Sequence, residues 1–232
     1  MTCNRILSLK DGINRVKTAL CVTGLNDLVF DSFQILTESE LRKYDAFKAK
    51  TGKMEFLLGR YSAKIAYFEL THGNNFLDIE IANGIFEQPF FMGDSAFDLS
   101  IAHSKEFGGA IVFDKAYPIG LDIETVSESS DRLDVLSFAT KYDEIEAVDV
   151  QKDVALTIAW CMKEALTKAI RTGLTIPLDL LCLDKLTKGW DVLDTFECEF
   201  KNFPQYKGIA KVICGYVMAI VYPKQLLLEK FE

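Results

Sequence analysis

Two carboxylates two residues apart, Asp122 and Glu124, lie in the segment Pro118-Ile119-Gly120-Leu121-Asp122-Ile123-Glu124. If this is a strand, alternate residues share a face, so both acids point one way while Leu121 and Ile123 point the other. Neighbouring carboxylates raise each other's pKa unless a cation lies between them. An all-oxygen ligand set of this kind suits Mg²⁺ or Mn²⁺. The same pattern also suits a half-exposed strand with its polar face in water. A second segment, Trp160-Cys161-Met162-Lys163-Glu164-Ala165-Leu166-Thr167-Lys168, places Trp160, Glu164 and Lys168 at i, i+4 and i+8, on one face of a helix. A tryptophan among those charges argues for a buried edge or cleft over a fully solvated face. There Glu164 is a candidate third metal ligand or general base, and Lys168 a point charge for a phosphate. The same spacing also suits an ordinary Glu-to-Lys i,i+4 surface pair.

The elements that must position these residues are written in the pattern around them. Thr37-Glu38-Ser39-Glu40 is a capping box, opening a helix expected to end near Lys50 and to be broken by Gly52. A second helix is expected over 53–70, closed by Gly73. Strands are expected over 77–81, 97–101 and 109–113, a turn over 114–118, and the acidic strand over 119–124. A helix is expected to start at Thr140 with Asp143, and a long one over 152–171 to end at Gly173. Strands over 180–183, 190–200 and 207–222 follow, with turns at Lys188-Gly189 and over 202–204. Each half thus has a long apolar helix, a closing glycine and then Leu-Asp (Leu77-Asp78; Leu178-Asp179), which suggests a duplicated α+β unit. The halves are taken as 1–116 and 117–232.

The bulk numbers bound the function classes. The 232 residues are 49% hydrophobic, with 17 Phe and 8 Tyr, enough for a sizeable core. The formal net charge of −8, with no basic stripe, argues against a nucleic-acid binder. It also means that an anionic ligand needs a local basic pocket or a metal ion. The most apolar run, 212–222, is too short for a membrane-spanning helix. Six cysteines without a CxxC pair, and two histidines in all, make a zinc site improbable and read as the reduced thiols of a cytoplasmic protein.

Taken together and in order, the two chemistry-bearing segments resemble the signature of phosphopantetheinyl transferases: G-hydrophobic-D-x-E, then W-[S/C/T]-x-K-E-[A/S]-x-x-K. Leu99-Ser100-Ile101-Ala102-His103-Ser104 looks like the strand of that family carrying a histidine toward the 3′-phosphate of coenzyme A, which makes His103 the candidate. Phe56-Leu57-Leu58-Gly59-Arg60-Tyr61-Ser62-Ala63-Lys64 looks like the helix whose basic residues approach the nucleotide phosphates, here Arg60 and Lys64. The length fits the Sfp-type class, in which two similar α/β halves related by a pseudo-twofold axis pack as one α+β monomer. The resemblance spans roughly 53–179. It departs at Glu87-Gln88-Pro89, where the family often has Gly-Lys-Pro, and at Ala102, where a serine is usual.

The resemblance implies transfer of the 4′-phosphopantetheine arm of coenzyme A to a serine of an apo acyl or peptidyl carrier protein, giving 3′,5′-ADP. It implies Mg²⁺ (or Mn²⁺) on Asp122, Glu124 and Glu164, with Glu164 taking the serine proton and Lys168 on the leaving phosphate. Residues 141–150 are read as a flap or as an ordinary connecting helix. No nucleic acid and no membrane is expected as partner. The rival reading is a coenzyme A- or carrier-binding module without turnover. An unrelated metal-dependent hydrolase using the same carboxylates, and a purely structural α+β protein, are the remaining alternatives.

Overall fold

The computed structural model describes residues 3–5, 8–28, 31–189 and 194–230. The fold is α+β, in two compact units: Met1–Pro118 with Leu226–Glu232, and Ile119–Gln225.

The first unit runs β1 (Cys3–Arg5), β2 (Ser8–Asp11), β3 (Asn14–Val16), β4 (Thr18–Gly24), α1 (Ser32–Ile35), α2 (Glu38–Ala46), α3 (Lys50–Thr71), β5 (Ile81–Asn83), β6 (Pro89–Phe91), β7 (Phe97–Ser104) and β8 (Phe107–Asp114). One sheet has the order β1-β4-β8-β7, and β5 and β6 form a separate hairpin. The second unit runs β9 (Gly120–Thr125), α4 (Ser130–Ala139), α5 (Lys152–Ala169), β10 (Leu183–Lys188), β11 (Thr195–Phe200), β12 (Tyr206–Ile213) and β13 (Tyr216–Pro223), in one sheet ordered β10-β11-β12-β13-β9. The last strand, β14 (Leu227–Lys230), pairs with β2, so residues beyond 225 belong to the first unit.

Both units follow one script: a strand, helices (α1 to α3 in the first unit, α4 and α5 in the second), a hairpin, then a second hairpin whose last strand pairs back on the first strand. The registers make the match residue by residue. In the first unit Ser104 faces Phe107 and Phe107 faces Gly24. In the second, Ile213 faces Tyr216 and Tyr216 faces Thr125. Counting back along β4 and β9, Cys21 occupies the place of Asp122, and Thr23 that of Glu124.

Local chemistry accounts for the elements. Thr37 caps α2 as its capping box requires, accepting from Glu40 N while the Glu40 carboxylate accepts from Thr37 N at 2.9 Å. The break between α2 and α3 comes at 47–49, not at Gly52, which lies inside α3; Phe47 and Ala49 both take extended backbone. The left-handed residue closing α3 is His72 (φ 58°) in place of Gly73. Residues 140–150 form a short 3₁₀ turn at 142–144, not a helix, and Glu144, Ile145 and Val148 are buried there, so the segment is packed and not a loose flap. Of the strand expected over 77–81, a 3₁₀ turn at Phe76–Asp78 takes the start and only Ile81 is in a strand; residues 178–181 are also a 3₁₀ turn. The run 207–222 is a hairpin rather than one strand, turned at Cys214-Gly215, both with positive φ as a type I′ turn demands. Of the strand expected over 190–200, residues 190–193 lie outside the described residues. Among the described residues no helix is long and apolar enough to cross a membrane.

Candidate active site

The acidic strand and the tryptophan helix meet because β9 begins with a glycine. A Cβ at Gly120 would lie 1.9 Å from the Ala165 carbonyl oxygen and 2.7 Å from the Ala169 nitrogen. The missing side chain lets α5 lie directly on β9. The helix buries Ala159, Cys161, Met162, Ala165 and Leu166 in the core of the second unit, with Trp160 also buried there, and Trp160, Glu164 and Lys168 share the side that meets the acids.

Lys168 donates to Asp122 Oδ1 at 2.7 Å. Asp122 Oδ2 is buried and has no hydrogen-bond partner. The buried Cys161 thiol lies against the same carboxylate but donates to Val217 O at 3.5 Å. Glu124 Oε1 accepts from Trp160 Nε1 at 3.0 Å and from an Arg132 NH2 at 2.9 Å. The Arg132 guanidinium also lies over the Trp160 ring, 5.8 Å from its centroid. Burial, and then the charges of Asp122 and Glu124, lift the Glu164 carboxyl to about 7, against the pull of Lys168. Burial and Asp122 also raise Glu124. Burial works to lower Lys168, but the contact with Asp122 outweighs it and holds the ammonium charged above its usual range.

The charges of Asp122, Glu124 and Lys168 therefore all act on Glu164. Yet among the described residues no three His, Cys, Asp or Glu side chains are set around a common point for a metal ion: Lys168 engages Asp122, while Arg132 and Trp160 engage Glu124. The donors themselves fit a hard divalent cation. They are all oxygen, one buried carboxylate oxygen lacks a hydrogen-bond partner, and the charge of Asp122 pushes up both Glu124 and Glu164.

The candidates in the first unit divide. His103, at the end of β7, is exposed, its Nδ1 3.8 Å from Glu55 Oε2. Arg60 and Lys64, expected to approach the nucleotide phosphates, are instead buried. Lys64 is fully buried and donates to Ile35 O (2.8 Å), Glu40 Oε2 (2.6 Å) and Phe76 O (3.0 Å). Its three ammonium hydrogens are thereby used inside the unit. Arg60 is buried against Glu40 and Phe56 and donates to Asn83 Oδ1 at 2.8 Å. The resemblance implies that the pair approaches the phosphates, but i,i+4 spacing does not tell which face of α3 is buried. Gln88, at the place of the family's lysine, folds back within its loop, its Oε1 accepting from Phe86 N at 3.0 Å, and Ala102 is buried.

Arg132 went unseen in the sequence because it stands alone on a serine- and acid-rich stretch, ten positions from Asp122. Glu144, the partner of Lys163, likewise carries no pattern of its own beyond the i,i+3 relation to Lys141.

A model of the 4′-phosphopantetheinyl transferase superfamily matches residues 118–221. The holo-[acyl-carrier-protein] synthase of Lactococcus lactis subsp. lactis is 41% identical over 81 residues, covering 31% of this chain and 67% of the relative. That of Petrotoga mobilis is 32% identical over 99 residues, covering 35% of this chain and 82% of the relative. Among solved structures, a holo-(acyl-carrier-protein) synthase from Bacillus anthracis in complex with CoA (3′,5′-ADP) is 30% identical with a TM-score of 0.37, covering 47% of this chain and 96% of that one.

Proposed function

The chain belongs to the 4′-phosphopantetheinyl transferase superfamily, and from that premise we propose that it moves the 4′-phosphopantetheine group of coenzyme A onto a serine of an apo acyl or peptidyl carrier protein. The observation that carries this reading is the Lys168–Asp122 contact beside an unpartnered carboxylate oxygen and a Glu164 whose carboxyl sits near neutrality.

Asp122, Glu124 and Glu164 are the residues that would hold Mg²⁺ or Mn²⁺. When bound, such an ion supplies charge neutralisation on the phosphates. Glu164, lifted to about 7, suits acceptance of the proton from the carrier serine hydroxyl at neutral pH. The serine oxygen bonds to the phosphorus that carries the pantetheine arm, and the bond from that phosphorus to the bridging oxygen breaks, releasing 3′,5′-ADP. Lys168, kept charged by Asp122, stabilises the negative charge gathering on the leaving phosphate. His103, exposed on β7, is the candidate contact to the 3′-phosphate. Arg132 and Trp160 hold Glu124 in place.

Two units of one script in a single chain favour the Sfp-type over the short type, and with it a monomer. A second reading, a coenzyme A- or carrier-binding module without turnover, is motivated by Gln88, which stands where the family often has a lysine. The two differ in product. Intact mass spectrometry of apo carriers incubated with the protein, coenzyme A and Mg²⁺ should show the gain of one phosphopantetheine, lost in Glu164→Gln. Coenzyme A binding with no gain on any carrier would leave the module.

A further inference from the structure

Lys163 precedes Glu164 by one residue but leaves α5 on a different side, where it is fully buried. Its Nζ donates to Ala139 O at 2.6 Å and lies 3.0 Å from Glu144 Oε1 and 2.9 Å from Oε2. Glu144 is itself buried, and its carboxylate accepts from Lys141 N and Leu183 N, both at 2.8 Å. One ion pair thus joins α5, the last carbonyl of α4, the turn at 142–144 and the start of β10.

The first unit contains the same device. Lys64 of α3 meets Ile35 O and Glu40, and Glu40 accepts from Thr37 N and Ile81 N. Ile35, Thr37 and Glu40 precede Ala139, Lys141 and Glu144 by the same 104 positions. The copies differ in what surrounds them. Beside Lys64 the helix carries Ile65, and the strand positions of the two acids are Cys21 and Thr23. Beside Lys163 it carries Glu164, and α4, whose end Lys163 holds, carries Arg132 against Glu124 and Trp160.

A buried ion pair does not by itself stabilise more than apolar residues of the same volume, so its presence in both units points to geometry. In the first unit that geometry serves a helix without reactive groups. We propose that Lys163 and Glu144 are a positioning pair for the transfer reaction, tying the end of α4 to α5 so that Arg132 stays on Glu124 and Trp160 while Glu164 and Lys168 face Asp122. This rests on the function proposed above.

The matched pair of lysines supplies the test. The chain has two tryptophans, and Trp190→Phe leaves Trp160 as the reporter beneath Arg132. In that background Lys163→Met should red-shift Trp160 emission and raise its quenching by acrylamide. It should also cut kcat for carrier modification at least tenfold, with the KM for coenzyme A changed less than threefold. Lys64→Met, an equally buried change, should lower the melting temperature but leave Trp160 emission unchanged and kcat within twofold. Equal effects of the two substitutions on emission and kcat, or no effect of Lys163→Met on either, overturn the proposal. If Lys163→Met does not fold, Lys163→Met with Glu144→Gln removes both charges and is read the same way. A wild-type protein that modifies no carrier refutes the transfer function, whereas the emission comparison still decides the positioning role.

Discussion

Lys168 Nζ lies 2.7 Å from one oxygen of Asp122 while the other oxygen of that carboxylate is buried without a partner. The lysine satisfies one oxygen of the acid, and the other, with the Cys161 thiol against the same carboxylate, is the atom proposed to meet the metal. Asp122→Asn should therefore reduce carrier modification at least 100-fold at saturating Mg²⁺ and weaken Mn²⁺ binding. Rates from intact mass and Mn²⁺ titration by electron paramagnetic resonance measure the two effects.

Glu164 should lose a factor of about 10²–10⁴ in rate as Gln, the usual range for a positioned acid–base group. The KM for coenzyme A should move far less than kcat, which steady-state kinetics on one carrier will show.

The Glu164 carboxyl also shapes stability in chelator. Burial and Asp122 raise it in the folded state from an ordinary 4.5 to about 7. Its contribution to stability is therefore fully present below about pH 4.5 and is lost as pH rises through about 7. Metal-free protein should show a melting temperature that falls from pH 5 to pH 8. Glu164→Gln should flatten that fall, and Mg²⁺ should offset it at the alkaline end.

Arg132 opposes the rise of Glu124 that burial and Asp122 cause. Arg132→Gln removes that opposition, so Glu124 should take up its proton at higher pH. The acid limb of the rate profile should then move upward, by a shift larger than any change in melting temperature. An unmoved limb would show that Arg132 acts on structure alone.

Gly120→Ala puts a methyl group where the Ala165 carbonyl oxygen stands. Backbone cannot rotate away as a side chain can, so α5 must shift off β9. The cost should exceed the roughly 1–3 kcal/mol of ordinary overpacking, seen as a lower melting temperature, with carrier modification reduced at least 100-fold.

Much of this was legible in the chain itself, for identifiable reasons. Asp122 and Glu124 share a face because strands alternate, and Trp160, Glu164 and Lys168 align because helices repeat. Thr37 and Glu40 announced their capping box. What alternation and periodicity do not carry is depth. Arg60 and Lys64 have the spacing of a solvated pair, yet Glu40 draws both inward. Arg132 belongs to no period at all; only the approach of α4 to α5 brings it onto Glu124. Gly73 looked like the helix stop because glycine tolerates positive φ, but His72 takes that conformation one residue earlier.

The return of β14 to β2 has a consequence for synthesis. The strands Ser8–Asp11 and Asn14–Val16 leave the ribosome before the second unit, but the partner that completes their sheet, Leu227–Lys230, follows the whole of it. The half of the molecule that is translated first is thus the half that closes last, and its open strand edge must wait through the folding of the half that carries the acids.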